Sequence, residues 1–225
     1  MTISPSVLRG IQESIPLFIP AIPFALVFGI VVGESGIPAL IGWSSSPIIF
    51  GGAAQITLLS LLGEGASVAA AATAALIVGA RHLLYSVTMA PKFQGQPAWF
   101  RWLGSYVLID QVFALAVVHR ELEPDQFRQR YLSAGFTFWT LWMTFTALGL
   151  FVGPIIPSEW NLAFAAPVLF VGLLTVSIDR WQKALVAVVA MIVTVALADL
   201  PNRSGLLVAS VLGIALGLVL ERFRR

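Results

Sequence analysis

Apolar runs long enough to cross a lipid bilayer recur along the whole chain, and no polar stretch between them is long enough to fold alone. A membrane helix needs roughly 20 apolar residues to cross a hydrocarbon core of about 30 Å. Eight apolar segments can be read, at 14–33, 47–62, 66–90, 103–119, 131–152, 162–178, 184–200 and 205–221. Composition agrees: 58% of the 225 residues are hydrophobic and 11% are charged, against about a quarter charged in a soluble domain. So few charges cannot cover a soluble globule, which excludes a soluble enzyme and a nucleic-acid binder. A net charge of +2 points to no polyanion partner; it fits basic loops facing the cytoplasm. The chain has no cysteine and two distant histidines, so a metal centre and a cofactor are not expected. The expected fold is an all-α polytopic membrane protein, a single membrane domain over residues 1–225 in the lipid bilayer.

Orientation follows lysine and arginine in short loops. Arg120, Arg128 and Arg130 lie in the central polar stretch 119–130, Arg180 and Lys183 in the 179–183 loop, and Arg222, Arg224 and Arg225 end the chain. Loops 34–46 and 153–161 hold no Lys or Arg. Eight spans with both termini in the cytoplasm place all three basic groups inside, but leave Lys92, Arg101 and Arg203 on the wrong side. If 47–62 re-enters instead, the count drops to seven and the C-terminal arginines move outside. The proline-interrupted first segment lacks a clear cleavage site and is expected to be retained.

The central stretch divides the chain into candidate halves, 1–120 and 125–225. Gly33-Glu-Ser-Gly-Ile-Pro38 closes segment one as Gly153-Pro-Ile-Ile-Pro157 closes segment five, and Pro91 and Pro201 end later segments in each half. Chance is the alternative, since apolar chains share a small alphabet. Segments 47–62 and 162–178 are both short, and the second is interrupted by Pro167. Paired short, Gly/Pro-interrupted segments are the best sequence pointer to a transporter site. The first is expected to be broken or re-entrant. Its Ser44-Ser45-Ser46-Pro47 opening suits a helix N-cap followed by proline at the first helical position. Gly51 and Gly52 let a ligand or a backbone approach. An inward-facing helix start favours an anion such as a carboxylate; tight packing at small residues is the alternative. Gln55, one turn on, either bridges helices or reads the substrate.

Ionisable groups inside a span are costly and usually functional. Arg81 and His82 fall inside segment three, with Tyr85 one turn beyond on the Arg81 face. Asp110 falls inside segment four. Arg81 cannot shed its proton, so Asp110 is its natural partner across neighbouring helices, either at a substrate site or in a purely structural pair. His82 can carry a coupled proton or simply pack. Glu13 and Asp199 are read as interfacial. Trp139 and Trp142 share one face of segment five; they supply lipid-facing or packing bulk, or, with Phe138, Gly135 and neighbouring threonines, a docking face for another subunit. Without HExxH, GxSxG, a paired-carboxylate helix or a phosphate loop, no enzyme is expected. Ser86 near His82 is only a weak hint of intramembrane catalysis.

At these residues the chain resembles the AzlC-like family, the large subunits of bacterial branched-chain amino acid exporters. The resemblance rests on Pro23-Phe-Ala-Leu-Val-Phe-Gly29, Phe50-Gly-Gly-Ala-Ala-Gln55, Arg81-His82-Leu-Leu-Tyr85-Ser86, Asp110-Gln111-Val-Phe-Ala114 and Phe164-Ala-Ala-Pro-Val-Leu-Phe170. Two positions depart from the family pattern. Gly79 stands where Asn is usual, and Gln111 where the second acid of an Asp-Glu pair is usual. The resemblance implies an exporter in the bacterial inner membrane that works with a small AzlD-like membrane subunit.

The leading expectation is therefore a proton-coupled secondary exporter of amino acids, branched-chain ones above all. Ser46, Gly51, Gly52, Gln55, Arg81, Tyr85 and Asp110 would contact the substrate, and His82 and Asp110 would handle protons. A non-transporting assembly or scaffold subunit is the competing class.

Overall fold

The computed structural model describes residues 4–155, 178, 180–200 and 204–222, and within them the regular structure is helical with no strand. Segment one begins earlier than the hydropathy suggests. Helix α1 (Pro5–Phe18) passes through a 3₁₀ turn at Ile19–Ala21 into α2 (Ile22–Glu34). Prolines at 16, 20 and 23 each lack a backbone donor, so the ladder loosens here without ending. The long helix α9 (Pro124–Val152) runs alongside, parallel to α1–α2. Ser4 meets Gln129 at one end, and Gly29 and Gly149 meet the opposite backbone near the other. At those two glycines a Cβ would collide with main chain, so glycine sets the closeness of the packing. Both elements are long and apolar enough to cross a membrane.

The next three segments are each broken in two. Helices α3 (Ala39–Ile49) and α4 (Gly52–Gly63) flank a kink at Phe50, the one residue other than glycine with positive φ among those described. The two are half-length pieces of about 17 Å each. Gly42 packs on Val32, Trp43 bonds Thr146, and Gly63 returns against Ser35. The chain therefore enters from the Ser35 end, turns at Phe50–Gly51 and leaves by the same end. This is the re-entrant excursion expected for 47–62, with one correction. The expected loop 34–46 is largely helix, and Ser46-Pro47 lies in the last turn of α3 rather than at a helix start. Pro47 weakens that turn, and the helix stops three residues later.

Segment 103–119 behaves likewise from the opposite end. Helix α7 (Ala98–Tyr106) rises beside α9, with Phe100 against Phe127, Gly104 against Tyr131 and Val107 against Gly135. The chain breaks at 107–109, and α8 (Asp110–Val118) descends until His119 meets Glu13. Between the excursions, α5 (Val68–Gly79) and α6 (Arg81–Gln94) form a single crossing bent by 43°. Arg81 thus opens a half-helix instead of sitting within a continuous one, and Asp110 does the same. Pro91, expected to end its segment, lies inside α6, which runs on to Gln94.

Among residues 4–155 there are three crossings and two re-entrant excursions, not the five full spans the apolar segments suggested. This places Lys92, Arg101, Arg120, Arg128 and Arg130 together at one end, so the expected mislocation of Lys92 and Arg101 disappears. The opposite end carries Glu34 and Glu64. Beyond these, α10 (Trp181–Ala196) and α11 (Ser204–Arg222) form an antiparallel pair that touches α5. Of segment 162–178 only residue 178 is described. Pro157, Trp160, the Phe164–Phe170 motif, Pro167, Pro201, Arg203, Arg224 and Arg225 lie outside the described residues, and with them most of the comparison between halves.

Candidate functional site

Non-helical backbone is tolerated at membrane depth only where it is buried in protein or lines a cavity, because hydrocarbon offers it no hydrogen bonds. The breaks here meet that demand with side chains. The Gly51 N–H donates to Gln55 Oε1 at 3.1 Å, and Gln55 Nε2 donates to the Ser45 and Ser46 hydroxyls, each at 3.1 Å. The Pro47 carbonyl accepts from Tyr106 at 2.5 Å, and Tyr106 accepts from the Trp139 indole at 2.7 Å. The Gly104 carbonyl accepts from Tyr131 at 2.8 Å. The Gly79 carbonyl lies 2.8 Å from His82 Nδ1, so that ring nitrogen carries the proton. The Tyr106 bond to Pro47 also joins the tips of the two excursions beside the middle of α9.

A cavity of about 450 Å³ opens where these interruptions converge. The α1–α2 turn gives it Phe18, Ala21 and Phe24; the tip of α3–α4 gives Phe50 to Ala53; the start of α6 gives Arg81 and His82; the start of α8 gives Asp110 and Gln111; α9 gives Phe138 and Trp142. Arg81 Nη2 lies 3.0 Å from Asp110 Oδ2, and the Tyr85 hydroxyl donates to Asp110 Oδ1 at 2.6 Å. This is the pair expected from sequence. Tyr85 is itself stacked on Phe113 with centroids 4.4 Å apart, and His82 meets its edge. Both charged side chains remain about 40% exposed, at 40% and 42%. The walls are aromatic, the charges sit at one side, and α4 begins there with no side-chain cap. A helix start with orphan N–H groups offers donors to an acceptor.

The expected site residues therefore divide. Gly51, Gly52, Arg81, His82 and Asp110 line the cavity. Tyr85 stands behind Asp110 and positions it. Ser46 and Gln55 are fully buried and spend their polar atoms on the α3–α4 break, outside the cavity lining. Gly79 frees the carbonyl that His82 covers. The aromatic wall was missed. Phe18 and Phe24 could have been suspected from the proline cluster beside them. Phe138 and Trp142 had been weighed as an outer docking face, yet they are 1% and 6% exposed. Gly135 is buried against Val107, and Trp139 is turned to Tyr106. The Gly135, Phe138 and Trp142 side of segment five points inward, whereas Thr140 and Thr144 of the same helix are exposed.

A second charged cluster closes the basic end. Glu13 accepts from both Arg130 Nε, at 2.9 Å, and Arg130 Nη2, and His119 Nε2 lies 3.1 Å from Glu13 Oε2. Glu13, read as interfacial, thus ties α1, α8 and α9 together around a void of only about 10 Å³.

Comparison with known proteins follows this geometry. The model of the AzlC protein family matches residues 16–156, the stretch that holds both excursions and the cavity. The chain is 28% identical over 207 residues to the inner membrane protein YgaZ of Escherichia coli K12, covering 88% of this chain and 84% of that protein. It is also 28% identical over 170 residues to an uncharacterized membrane protein of Archaeoglobus fulgidus, covering 74% and 73%. No solved structure matches.

Proposed function

The chain belongs to the AzlC family of membrane proteins, and from that premise we propose that it is a secondary transporter that exports amino acids, branched-chain ones above all. The observation that carries the proposal is the convergence of the helix breaks on one aromatic cavity holding a half-exposed Arg81–Asp110 pair. Transporter sites near the bilayer midplane are typically built from discontinuous helices whose starts face the anionic part of the substrate. A zwitterion suits such a site. Its ammonium goes to Asp110, its carboxylate to the side formed by the α4 start and Arg81, and its apolar side chain to Phe18, Phe24, Phe138 and Trp142.

The coupling proton is assigned to His82 and Asp110, which share the cavity. With Nδ1 held on the Gly79 carbonyl, His82 Nε2 is the free acceptor. The basic end, with Lys92, Arg120, Arg128 and Arg130, faces the cytoplasm, and with it both termini of a protein in the bacterial inner membrane. A small AzlD-like subunit completes the transporter. The direct pairing of Arg81 with Asp110 favours one other reading, an assembly subunit whose charges only fix packing.

Counterflow of labelled amino acids into proteoliposomes, with and without a co-purified small subunit, separates the two. Accumulation of branched-chain amino acids that is lost in Arg81→Leu is expected of the transporter. No accumulation of any amino acid with the subunit present would leave the assembly reading standing.

A further inference from the structure

Three tryptophans lie around the re-entrant tips, and two of their indole donors are used. Trp43 Nε1 donates to Thr146 Oγ1 at 3.1 Å and Trp139 Nε1 to Tyr106 at 2.7 Å. Trp142 Nε1 is buried with no acceptor among the described residues, in a side chain only 6% exposed that lines the cavity. A buried donor left unpaired is costly, and such groups in native structures call for an explanation.

The neighbourhood of Trp142 supplies one. Its outer ring edge lies over the start of α4: a Cβ on Gly52 would come within 2.7 Å of Cη2 and 3.1 Å of Cζ2. Cζ2 is bonded to the ring carbon that also bears Nε1, so the N–H sits beside the same helix start. There the Gly51 N–H is taken by Gln55, whereas Gly52 and Ala53 line the cavity and, as the first helical residues, have no acceptor within the helix. Arg81 is bonded to Asp110 through Nη2, while its buried Nε has no acceptor among the described residues either and stays available on the same side of the cavity. We infer that Trp142 is a specificity residue whose indole N–H, together with the Gly52 and Ala53 N–H groups, cradles the carboxylate of the transported molecule. The inference rests on the amino-acid carrier reading and narrows it. A carboxylate is acceptor-only and presents two oxygens; one takes the indole donor and the other the helix start. Glycine at 52 is required because any side chain would displace the Trp142 and Phe24 rings, the latter's Cε1 lying 2.6 Å from the same Cβ position.

The test uses the full chain with its tryptophans ¹⁵N-labelled, and two probes that differ only in the carboxylate, L-leucine and 3-methylbutylamine. One of the seven indole N–H signals moves downfield with L-leucine and stays put with the amine, and it is the signal missing from Trp142→Phe. In counterflow, Trp142→Phe keeps an aromatic side chain but loses the donor, and raises the half-saturating L-leucine concentration about tenfold. Should that variant fail to fold, the spectra of the unaltered chain decide. If the unaltered chain moves L-leucine while no indole signal responds, or if the variant's half-saturation is unchanged, the cradle is overturned and the carrier reading survives. If the unaltered chain moves no amino acid even with the small subunit present, the carrier reading falls and takes the cradle with it.

Discussion

The two charged clusters use the same chemistry to opposite ends. At the basic end a single carboxylate, Glu13, is gripped by both donors of Arg130 and by His119, with almost no void around it. At mid-depth Asp110 has one guanidinium contact and one phenol, and both charged side chains open onto a cavity of about 450 Å³. The first joins α1 and α9 to the far end of α8. The second joins two half-helices at their starts, with Arg81 and Asp110 as first residues. A carboxylate held by three donors resists change, because removing any one of them loosens the tie between the helices. A half-exposed pair at two broken ends can trade its partner for a ligand at little cost. The difference assigns Glu13–Arg130–His119 to holding the fold and Arg81–Asp110 to working within it.

Substitutions that break this contrast differ in size. Arg130→Leu strips Glu13, itself about a third exposed at 32%, of both guanidinium bonds and should cost about 3 kcal/mol, read as a lowered unfolding midpoint in detergent. His119→Phe leaves Glu13 on Arg130 and should cost about 2 kcal/mol; a loss as large as that of Arg130→Leu would mean that the histidine, not the arginine, anchors the tie. Arg81→Leu should cost only about 1 kcal/mol of stability, as for an exposed pair, while transport disappears. Adding Asp110→Leu should restore stability but not transport, and recovered transport in the double variant would reduce the pair to packing. Tyr85→Phe is the mildest, roughly 0.5 kcal/mol, with a weakened half-saturation because Asp110 loses its fixed rotamer.

Sequence made the class, the Arg81–Asp110 pairing and the special role of Phe50–Gly52 legible, since each is a local violation: charge in an apolar run, or glycine where a span should continue. It misled over Ser46-Pro47, because Ser-Pro at a helix start and Ser-Pro in a failing last turn look alike until the fold shows where the donors go. In the eight-span layout 103–119 counted as a crossing, and so did 47–62 although its shortness and glycines also pointed to re-entry, because hydropathy records apolarity and not direction; a chain that turns back at mid-depth is as apolar as one that crosses. Lys92 and Arg101, on the wrong side of an eight-span layout, were the surviving trace of that error. The aromatic wall was invisible for a different reason. Phe18, Phe24, Phe138 and Trp142 come from two separate elements, and nothing local distinguishes a ring facing a cavity from one facing lipid.

The central claim is that the helix breaks enclose a water-accessible substrate cavity while the void beside the Glu13 cluster is closed. Because the natural chain has no cysteine, single cysteines report on this without background. Ala53 lines the cavity, and Ala134 lines the small void beside Glu13 and is 2% exposed. In proteoliposomes, Ala53→Cys should react with a charged methanethiosulfonate reagent and be protected by L-leucine, while Ala134→Cys should stay unreacted. An inert Ala53→Cys, or equal labelling of both positions with no protection, would contradict the account.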